Sequence, residues 1–242
     1  MTAFSIDLDP ARVGRLLTRV AVLLLVTSTT VAVTRVAAGG QLGLHDFGAR
    51  FDVDSEGSIP TWFSSLVLLA GALLLAVTAA DHKRAGGRDA LHWSLLAALL
   101  CVFSLDEVAS FHEYTSVVLD VELFGFESAF SWVVFGLAFT VVFAVVMTPF
   151  VRRLDLRLRR RLTLAAGLYF GGALGVEMLN ADVAASAVDA TYRYVLQTAA
   201  EEALEMAGAI ALVYALLHHL RERSVSVSLD FGAPSAPRGD AP

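Results

Sequence analysis

The sequence predicts an all-α, polytopic integral membrane protein: a bundle of six transmembrane helices with both termini in the cytoplasm. Of its 242 residues, 56% are hydrophobic, and the mean hydropathy is +0.65. These values lie well above those of a typical soluble domain, and a soluble protein of this composition would have too little polar surface to cover its core. Lipid is therefore the expected solvent, and the length is that of one domain.

Six segments of the chain have the length and composition of membrane spans. A helix needs about 20 mostly apolar residues to cross the hydrocarbon core. The predicted spans cover approximately residues 16–38, 62–80, 91–110, 129–150, 162–181 and 194–220. They form one transmembrane domain, residues 1–223, and the polar segment 224–242 predicts a disordered cytoplasmic tail.

Positive charge is concentrated on one side of this predicted bundle. If the six spans alternate in direction, 15 of the 18 Lys and Arg residues fall on the same side. The opposite loops contain only Arg35, Arg50 and Arg193, and they are rich in Asp and Glu. Because cytoplasmic loops carry the excess of Lys and Arg, the basic side is predicted to be cytoplasmic and the membrane to be the plasma membrane.

The first span has an alternative interpretation. The arginines before it, its apolar run to Val33 and the small residues before Gly39 are also compatible with a cleavable signal peptide. That interpretation would leave five spans and an external N-terminus. Arg35, which lies between the apolar run and any cleavage point, favours six spans.

Composition also bounds the site chemistry and the partners. The single cysteine, Cys101, excludes an intramolecular disulfide and a multi-thiolate metal site, and we interpret it as a small core residue. The net charge of −6 is unevenly distributed and says little about partners. Membrane lipid is the expected partner and nucleic acid is not, while the oligomeric state stays open.

Carboxylates inside membrane spans are costly to bury, so they predict a functional site. Seven occur in or beside three of the spans: Asp106, Glu107, Glu113, Glu177, Glu201, Glu202 and Glu205. Spans three and five run outward and carry their acids near their ends, whereas span six runs inward and carries its acids near its start. All three sets are therefore predicted to lie at one depth, in the outer part of the bilayer.

Small residues in spans five and six predict close packing of these two helices. They recur every four positions, as Gly167, Gly171 and Gly175, with Gly172 beside them, and as Ala199, Ala203 and Ala207. This packing is expected to hold Glu177 near the level of Glu201 and Glu205. At about 100° per residue, Glu201, Glu205 and Gly208 share one face of span six.

So many carboxylates cannot all remain ionised and unpaired in a low-dielectric region. Basic partners at this depth are scarce, since only His112, Arg193 and Arg35 are near. Three solutions stay open: a bound cation, protons on some of the acids, or a purely structural network that includes helix-dipole contacts.

For a bound metal, several carboxylate oxygens and one imidazole suit iron, manganese or zinc, and an oxygen-rich site suits calcium. The predicted ligands are Asp106, His112, Glu113, Glu177, Glu201 and Glu205. A remaining carboxylate, Glu107 or Glu202, would act as general base on a metal-bound water. The paired Glu-x-x-His signature of a ferritin-like di-iron site is missing.

Acidic residues and a histidine in the first external loop are further candidate ligands: His45, Asp46, Asp52, Asp54 and Glu56. The segment 52–57 has the alternating acids of a calcium loop but lacks the full twelve-residue pattern. A solvated acidic loop is the favoured interpretation.

Other polar and aromatic residues are interpreted as interfacial. Four histidines fall at the basic ends of the spans: His82, His92, His218 and His219. The three tryptophans, Trp62, Trp93 and Trp132, fall near span starts, as in the aromatic belts of membrane proteins.

Three segments together resemble a family of uncharacterised bacterial multi-pass membrane proteins for which we know no activity. They are the first-loop run Asp52–Ser65, the Asp106-Glu107…His112-Glu113 motif and the Glu201-Glu202-Ala-Leu-Glu205-Met206 motif. The resemblance implies a bacterial inner membrane and supports the residue set without indicating a mechanism. The chain is also similar, in placing acids and a histidine at one membrane face, to membrane hydrolases related to alkaline ceramidases. The several zinc-binding histidines of those enzymes are not matched here.

The leading hypothesis is a membrane-embedded metal-binding protein with a carboxylate and histidine site at the extracytoplasmic end of the bundle. It would act as a metal-dependent enzyme on a lipid or other apolar substrate. A proton- or cation-coupled transporter is the alternative, although no internal repeat is evident in the sequence. A path to the cytoplasmic side would need polar residues, and the few available are Thr27, Ser28, Thr29, Thr30 and Thr140. A non-catalytic membrane scaffold is the second alternative.

Overall fold

The structure, a computed structural model, describes residues 8–38, 48–111, 131–179 and 192–226. These residues form helices and no strand. The helices are α1 (Pro10–Ala37), α2 (Ile59–Arg84), α3 (Ala90–Ala109), α4 (Ser131–Arg153), α5 (Leu156–Phe170) and α6 (Tyr192–Glu222). Beyond Phe170, α5 continues through a π-helical segment, Gly171–Val176, towards Leu179.

Six of these helical stretches are long and apolar enough to cross a membrane, which confirms the predicted all-α, multi-pass fold. Their centres agree with the predicted spans. The predicted ends at 129–130 and 180–181 and most of the predicted tail, from 227 onward, lie outside the described residues.

Several helices extend beyond their apolar cores because polar residues cap them. The Asp9 carboxylate accepts the Arg12 backbone N–H at 2.8 Å, and Pro10 follows at the first helical position. Ser58 and Pro60 play the same parts at the start of α2, where the Ser58 hydroxyl accepts the Thr61 backbone N–H. A side-chain acceptor and an early proline both favour a helix N-terminus. The helices α1 and α2 therefore begin before residues 16 and 62, the predicted starts of their spans.

Helix α6 lies at the centre of the bundle and packs against α1, α2 and α5, while α3 packs chiefly on α2. Its buried residues Met206, Ile210 and Val213 form a core with Leu68 of α2 and Ala21 of α1. Much of the remaining helix surface exposes large apolar side chains, as a protein solvated by lipid does.

Cys101 does not occupy the core position that was expected, because it lies on the exposed surface of α3. This helix packs on the rest of the bundle along one face only. An apolar residue of a membrane span has no need to be buried in protein, so its apolar surroundings in the sequence did not distinguish the core from the lipid face.

The predicted glycine and alanine rows are not the contact between α5 and α6. A Cβ added at Gly167, Gly171 or Gly175 would meet nothing within 4 Å, and Ala207 is exposed. The physical reason is in part the π-helical segment. Its i to i+5 hydrogen bonds place more residues in each turn, so a spacing of four no longer follows one face.

Two other glycines make the close contact. A Cβ on Gly172 would lie 2.7 Å from the Glu201 carbonyl oxygen, and one on Gly208 would lie 2.5 Å from the Tyr169 backbone nitrogen. Both glycines therefore let the two backbones approach directly. Gly208 is on the face that it was predicted to share with Glu201 and Glu205.

Ion pairs connect the helix ends on one side of the bundle, which we call the arginine end. Its pairs are Arg221 with Asp9 at 2.9 Å, Arg223 with Asp81 at 2.5 Å and Arg153 with Asp89 at 2.6 Å. They connect α1 to α6, α2 to α6 and the start of α3 to the end of α4. The opposite side is called the carboxylate end.

Two residues that were interpreted as interfacial are buried at the arginine end. Trp93 is 0% exposed and His219 is 9% exposed. Their rings lie 5.9 Å apart, and Trp93 also meets Phe150 edge-on at 5.0 Å and His82 at 5.7 Å. These aromatic side chains pack α2, α3, α4 and α6 together, because the four helices converge at this end. Trp62, in contrast, is 62% exposed.

Candidate functional site

A cavity of about 220 Å³ lies at the carboxylate end, bounded by the first loop and by α2 to α6. We call it the acidic cavity. Eight carboxylates line it: Asp54, Glu56, Asp106, Glu107, Glu177, Glu201, Glu202 and Glu205. Among the described residues, its lining contains no Lys, Arg or His.

The structure brings six of the eight predicted site residues to this one cavity. They are the two proposed bases Glu107 and Glu202 and the four proposed ligands Asp106, Glu177, Glu201 and Glu205. The remaining two proposed ligands, His112 and Glu113, lie outside the described residues.

Close packing of α5 on α6 positions the acids of these two helices. Gly172 lies against the turn from Glu201 to Glu205, where an added Cβ would also come within 2.8 Å of the Glu205 Cγ. Glu177 follows directly after the π-helical segment and lines the same cavity. Glu201 is buried, at 9% exposure. The close approach of the two backbones at Gly172 therefore brings Glu177 of α5 near Glu201 and Glu205 of α6.

The first loop is folded onto the bundle, while its acids Asp54 and Glu56 stay exposed, as in a solvated acidic loop. Val53 is buried, and its backbone N–H donates to the Ser28 hydroxyl of α1 at 3.0 Å. The Tyr194 hydroxyl donates to the Asp54 carboxylate at 3.1 Å. Asp54 and Glu56 consequently border the cavity, whereas His45 and Asp46 lie outside the described residues.

Arg35 lies beside this loop and not among the residues that line the cavity. Its guanidinium is 3.8 Å from the Asp52 carboxylate.

The sequence signal for the contact between the first loop and the bundle is Val53, an apolar residue between two acids, whose side chain is buried.

Three aromatic residues that the sequence analysis missed, together with Thr140, lie between the acidic cavity and a second one. Tyr169 and Phe103 stack with ring centres 5.9 Å apart. Phe103, Thr140, Tyr169 and Phe170 border both cavities. The Thr140 hydroxyl is buried, with no hydrogen-bond partner among the described residues. Tyr169 lies one helical turn before Gly172. Recognising Gly172 as the contact glycine of α5 would therefore have indicated that Tyr169 also lies against α6.

The second cavity, which we call the apolar crevice, has a volume of about 710 Å³ and runs between α4 and the other helices towards the arginine end. Its lining is apolar except for Tyr169, three threonines and two arginines. The arginines are Arg152, at the end of α4, and Arg159, in the first turns of α5.

The eight carboxylates surround the acidic cavity without converging on one point. In the described part of the chain, no three His, Cys, Asp or Glu side chains are arranged to hold a metal ion. Their charges nevertheless share a small, partly desolvated volume, where carboxylates repel one another. This repulsion favours protons or a cation in the cavity, or a network of polar contacts around it.

Comparison with protein families gives one match. A family described as a domain of unknown function (DUF8692) matches residues 16–220, a range that includes the acidic cavity and the apolar crevice. No curated protein and no solved structure matches the chain.

Proposed function

The chain belongs to this DUF8692 family, and we propose that it is a membrane-embedded metal-binding protein whose acidic cavity holds a divalent ion. The observation that carries the proposal is the concentration of carboxylates. Eight carboxylates from the first loop and three helices line one cavity of about 220 Å³. A divalent cation would neutralise part of this charge and replace repulsion between the carboxylates by attraction to the ion.

The proposed ligands are the described carboxylates Asp106, Glu177, Glu201 and Glu205, together with His112 and Glu113. Because the described carboxylates surround the cavity and do not converge, ion binding would draw some of them inward. Carboxylates with one imidazole favour zinc, manganese or iron, and an all-oxygen set favours calcium. The identity of the ion therefore depends on whether His112 binds it.

The chemistry that we propose is metal-dependent hydrolysis of a lipid or another apolar substrate. A bound divalent ion acidifies a coordinated water, and a carboxylate outside the ligand set, Glu107 or Glu202, would accept its proton. The apolar crevice supports an apolar substrate, because Phe103 and Tyr169 border it and the acidic cavity alike. A substrate in the crevice would thus reach the carboxylates at its end.

Proton- or cation-coupled transport is the alternative. One observation favours it: the two cavities are contiguous, since four residues border both. A path across the bundle would run from the acidic cavity through the crevice. The described lining of the crevice offers only Thr140, Thr148, Thr163 and Tyr169 between the carboxylates and the arginines. Hydroxyls without carboxylates form a poor relay for a charged species, so the enzyme proposal is preferred.

We also propose that the arginine end faces the cytoplasm of a bacterial cell, with both termini there and the acidic cavity near the outer face of the inner membrane. The concentration of Lys and Arg at that end supports this orientation. We further propose that the Asp106-Glu107…His112-Glu113 and Glu201-Glu202-Ala-Leu-Glu205-Met206 motifs are shared by the family.

Elemental analysis of the detergent-purified full chain tests the metal proposal. We compare the parent with Glu177→Gln and Glu205→Gln, and we use Glu222→Gln as the matched control, because Glu222 is exposed at the arginine end. A stoichiometric metal in the parent and the control, lost in both cavity variants, is the expected result.

An absence of metal from every sample, even after incubation with zinc, manganese, iron and calcium, would contradict the proposal. Proton-linked transport or a scaffold would then remain. Under the scaffold hypothesis, the two cavity variants change the stability of the protein but no ion content.

A further inference from the structure

Helix α4 stands away from the bundle along its middle. Val133 and Met147 are buried, at 4% and 7% exposure, but none of the intervening residues 134–146 is buried. Its few backbone contacts are chiefly with α5. The apolar crevice occupies the resulting gap, and exposed lining residues such as Ala144 and Gly167 show that it opens at the surface of the bundle.

The crevice carries positive charge at one end only. Arg152 and Arg159 line it there, and neither has an ion-pair partner in the described ranges. The neighbouring Arg153 differs, since its guanidinium is bound to Asp89 at 2.6 Å. Two unpaired guanidinium groups beside an apolar volume are suited to an amphiphile with an anionic head.

We propose that the apolar crevice binds an anionic phospholipid from the leaflet at the arginine end. Its phosphate lies between Arg152 and Arg159, and one acyl chain follows the crevice towards Phe103 and Tyr169. The proposal goes beyond the metal site, because it specifies a headgroup charge and a leaflet and requires no ion in the acidic cavity. A lipid bound in this way is not a substrate of that cavity, because only its acyl chain extends towards Phe103 and Tyr169.

The dimensions of the crevice agree with one acyl chain. At 1.5 Å per residue, the stretch of α4 from Thr140 to Arg152 is roughly 18 Å long. One leaflet contributes roughly half of a hydrocarbon core about 30 Å thick, so the crevice is about as long as one tail. The volume of about 710 Å³ is within the usual range for small-molecule sites.

Native mass spectrometry of the delipidated full chain tests the proposal. Phosphatidylglycerol and phosphatidylcholine with identical acyl chains are the two probes, and each is titrated separately. The parent is expected to bind phosphatidylglycerol more tightly. The double variant Arg152→Gln/Arg159→Gln should bind it roughly 30-fold more weakly, at about a tenfold loss per 1.4 kcal/mol and about 1 kcal/mol per basic residue.

A matched pair of glycine variants tests the acyl-chain part. Gly167 lines the crevice and Gly175 does not, and a Cβ at either position would meet nothing within 4 Å. Gly167→Leu should weaken binding of both lipids roughly tenfold, because the leucine side chain would displace about two methylenes of the acyl chain from the crevice. Gly175→Leu should leave both affinities unchanged.

The charge control is Arg88→Gln/Arg157→Gln, which removes two exposed arginines that do not line the crevice. Equal affinity of the parent for the two lipids would overturn the proposal in favour of ordinary lipid solvation. An equal loss of phosphatidylglycerol affinity in this control would show that the effect comes from surface charge in general and not from the crevice. Unchanged binding by Gly167→Leu would contradict the placement of an acyl chain beside Gly167.

Discussion

At the scale of single residues, Gly172 decides how closely α5 approaches the carboxylates of α6. In Gly172→Ala the new Cβ would meet the Glu201 carbonyl oxygen at 2.7 Å, and a backbone atom cannot yield as a flexible side chain does. Overpacking of this kind costs roughly 1–3 kcal/mol. We therefore expect a lower thermal unfolding midpoint for this variant of the detergent-purified chain.

The matched control is Gly167→Ala, whose Cβ meets nothing within 4 Å. It should leave the midpoint unchanged or raise it, since alanine favours a helix over glycine by up to about 1 kcal/mol. Equal midpoints for the two alanine variants would show that α5 and α6 do not meet at Gly172.

At the scale of helices, the ion pair between Asp89 and Arg153 joins the start of α3 to the end of α4. The hydrogen bond from Arg153 and its positive charge hold the pKa of Asp89 below its ordinary value of 3.8. A carboxylate with a lowered pKa stabilises the fold above its ordinary pKa. That stabilisation is lost as the pH falls from 3.8 through the lowered value.

We expect Asp89→Asn to cost at most about 1 kcal/mol at neutral pH, because both partners are partly exposed to solvent. The difference between parent and variant should disappear in acid. Unfolding midpoints measured from pH 7 to pH 2 test this, with Arg153→Gln and the double variant completing a mutant cycle. A difference that persists in acid, or a coupling of zero, would contradict the role assigned to the pair.

At the scale of the whole molecule, the sequence predicted the features that depend on the direction of each span and the depth of its acids. Glu177 and Glu205 were expected at one level because span five ends where span six begins, and both line the acidic cavity. The choice of Gly172 as the contact glycine of α5 was not predictable, since the π-helical segment changes the period of that helix. The attachment of the first loop to α1 includes a hydrogen bond between Val53 and Ser28, which local sequence patterns do not contain.

The orientation of the whole bundle gives the last prediction, which uses the chain's single cysteine. Replacing the exposed Cys101 by Ser removes the native thiol, and one cysteine is then introduced at Ala49, Arg88 or Leu8. All three positions are exposed. Ala49 is in the first loop, Arg88 between α2 and α3, and Leu8 before α1, so six spans with cytoplasmic termini place only Ala49 outside.

A membrane-impermeant maleimide applied to intact cells should therefore label Ala49→Cys, and it should label Arg88→Cys and Leu8→Cys only after permeabilisation. The reverse pattern would overturn the orientation and place the acidic cavity on the cytoplasmic side. Loss of the label at Leu8 from the mature chain, with the other two unchanged, would instead favour a cleaved first span. In that case α6 would lose the helix whose Ala21 packs into its core, and the first loop would lose Ser28, which binds Val53.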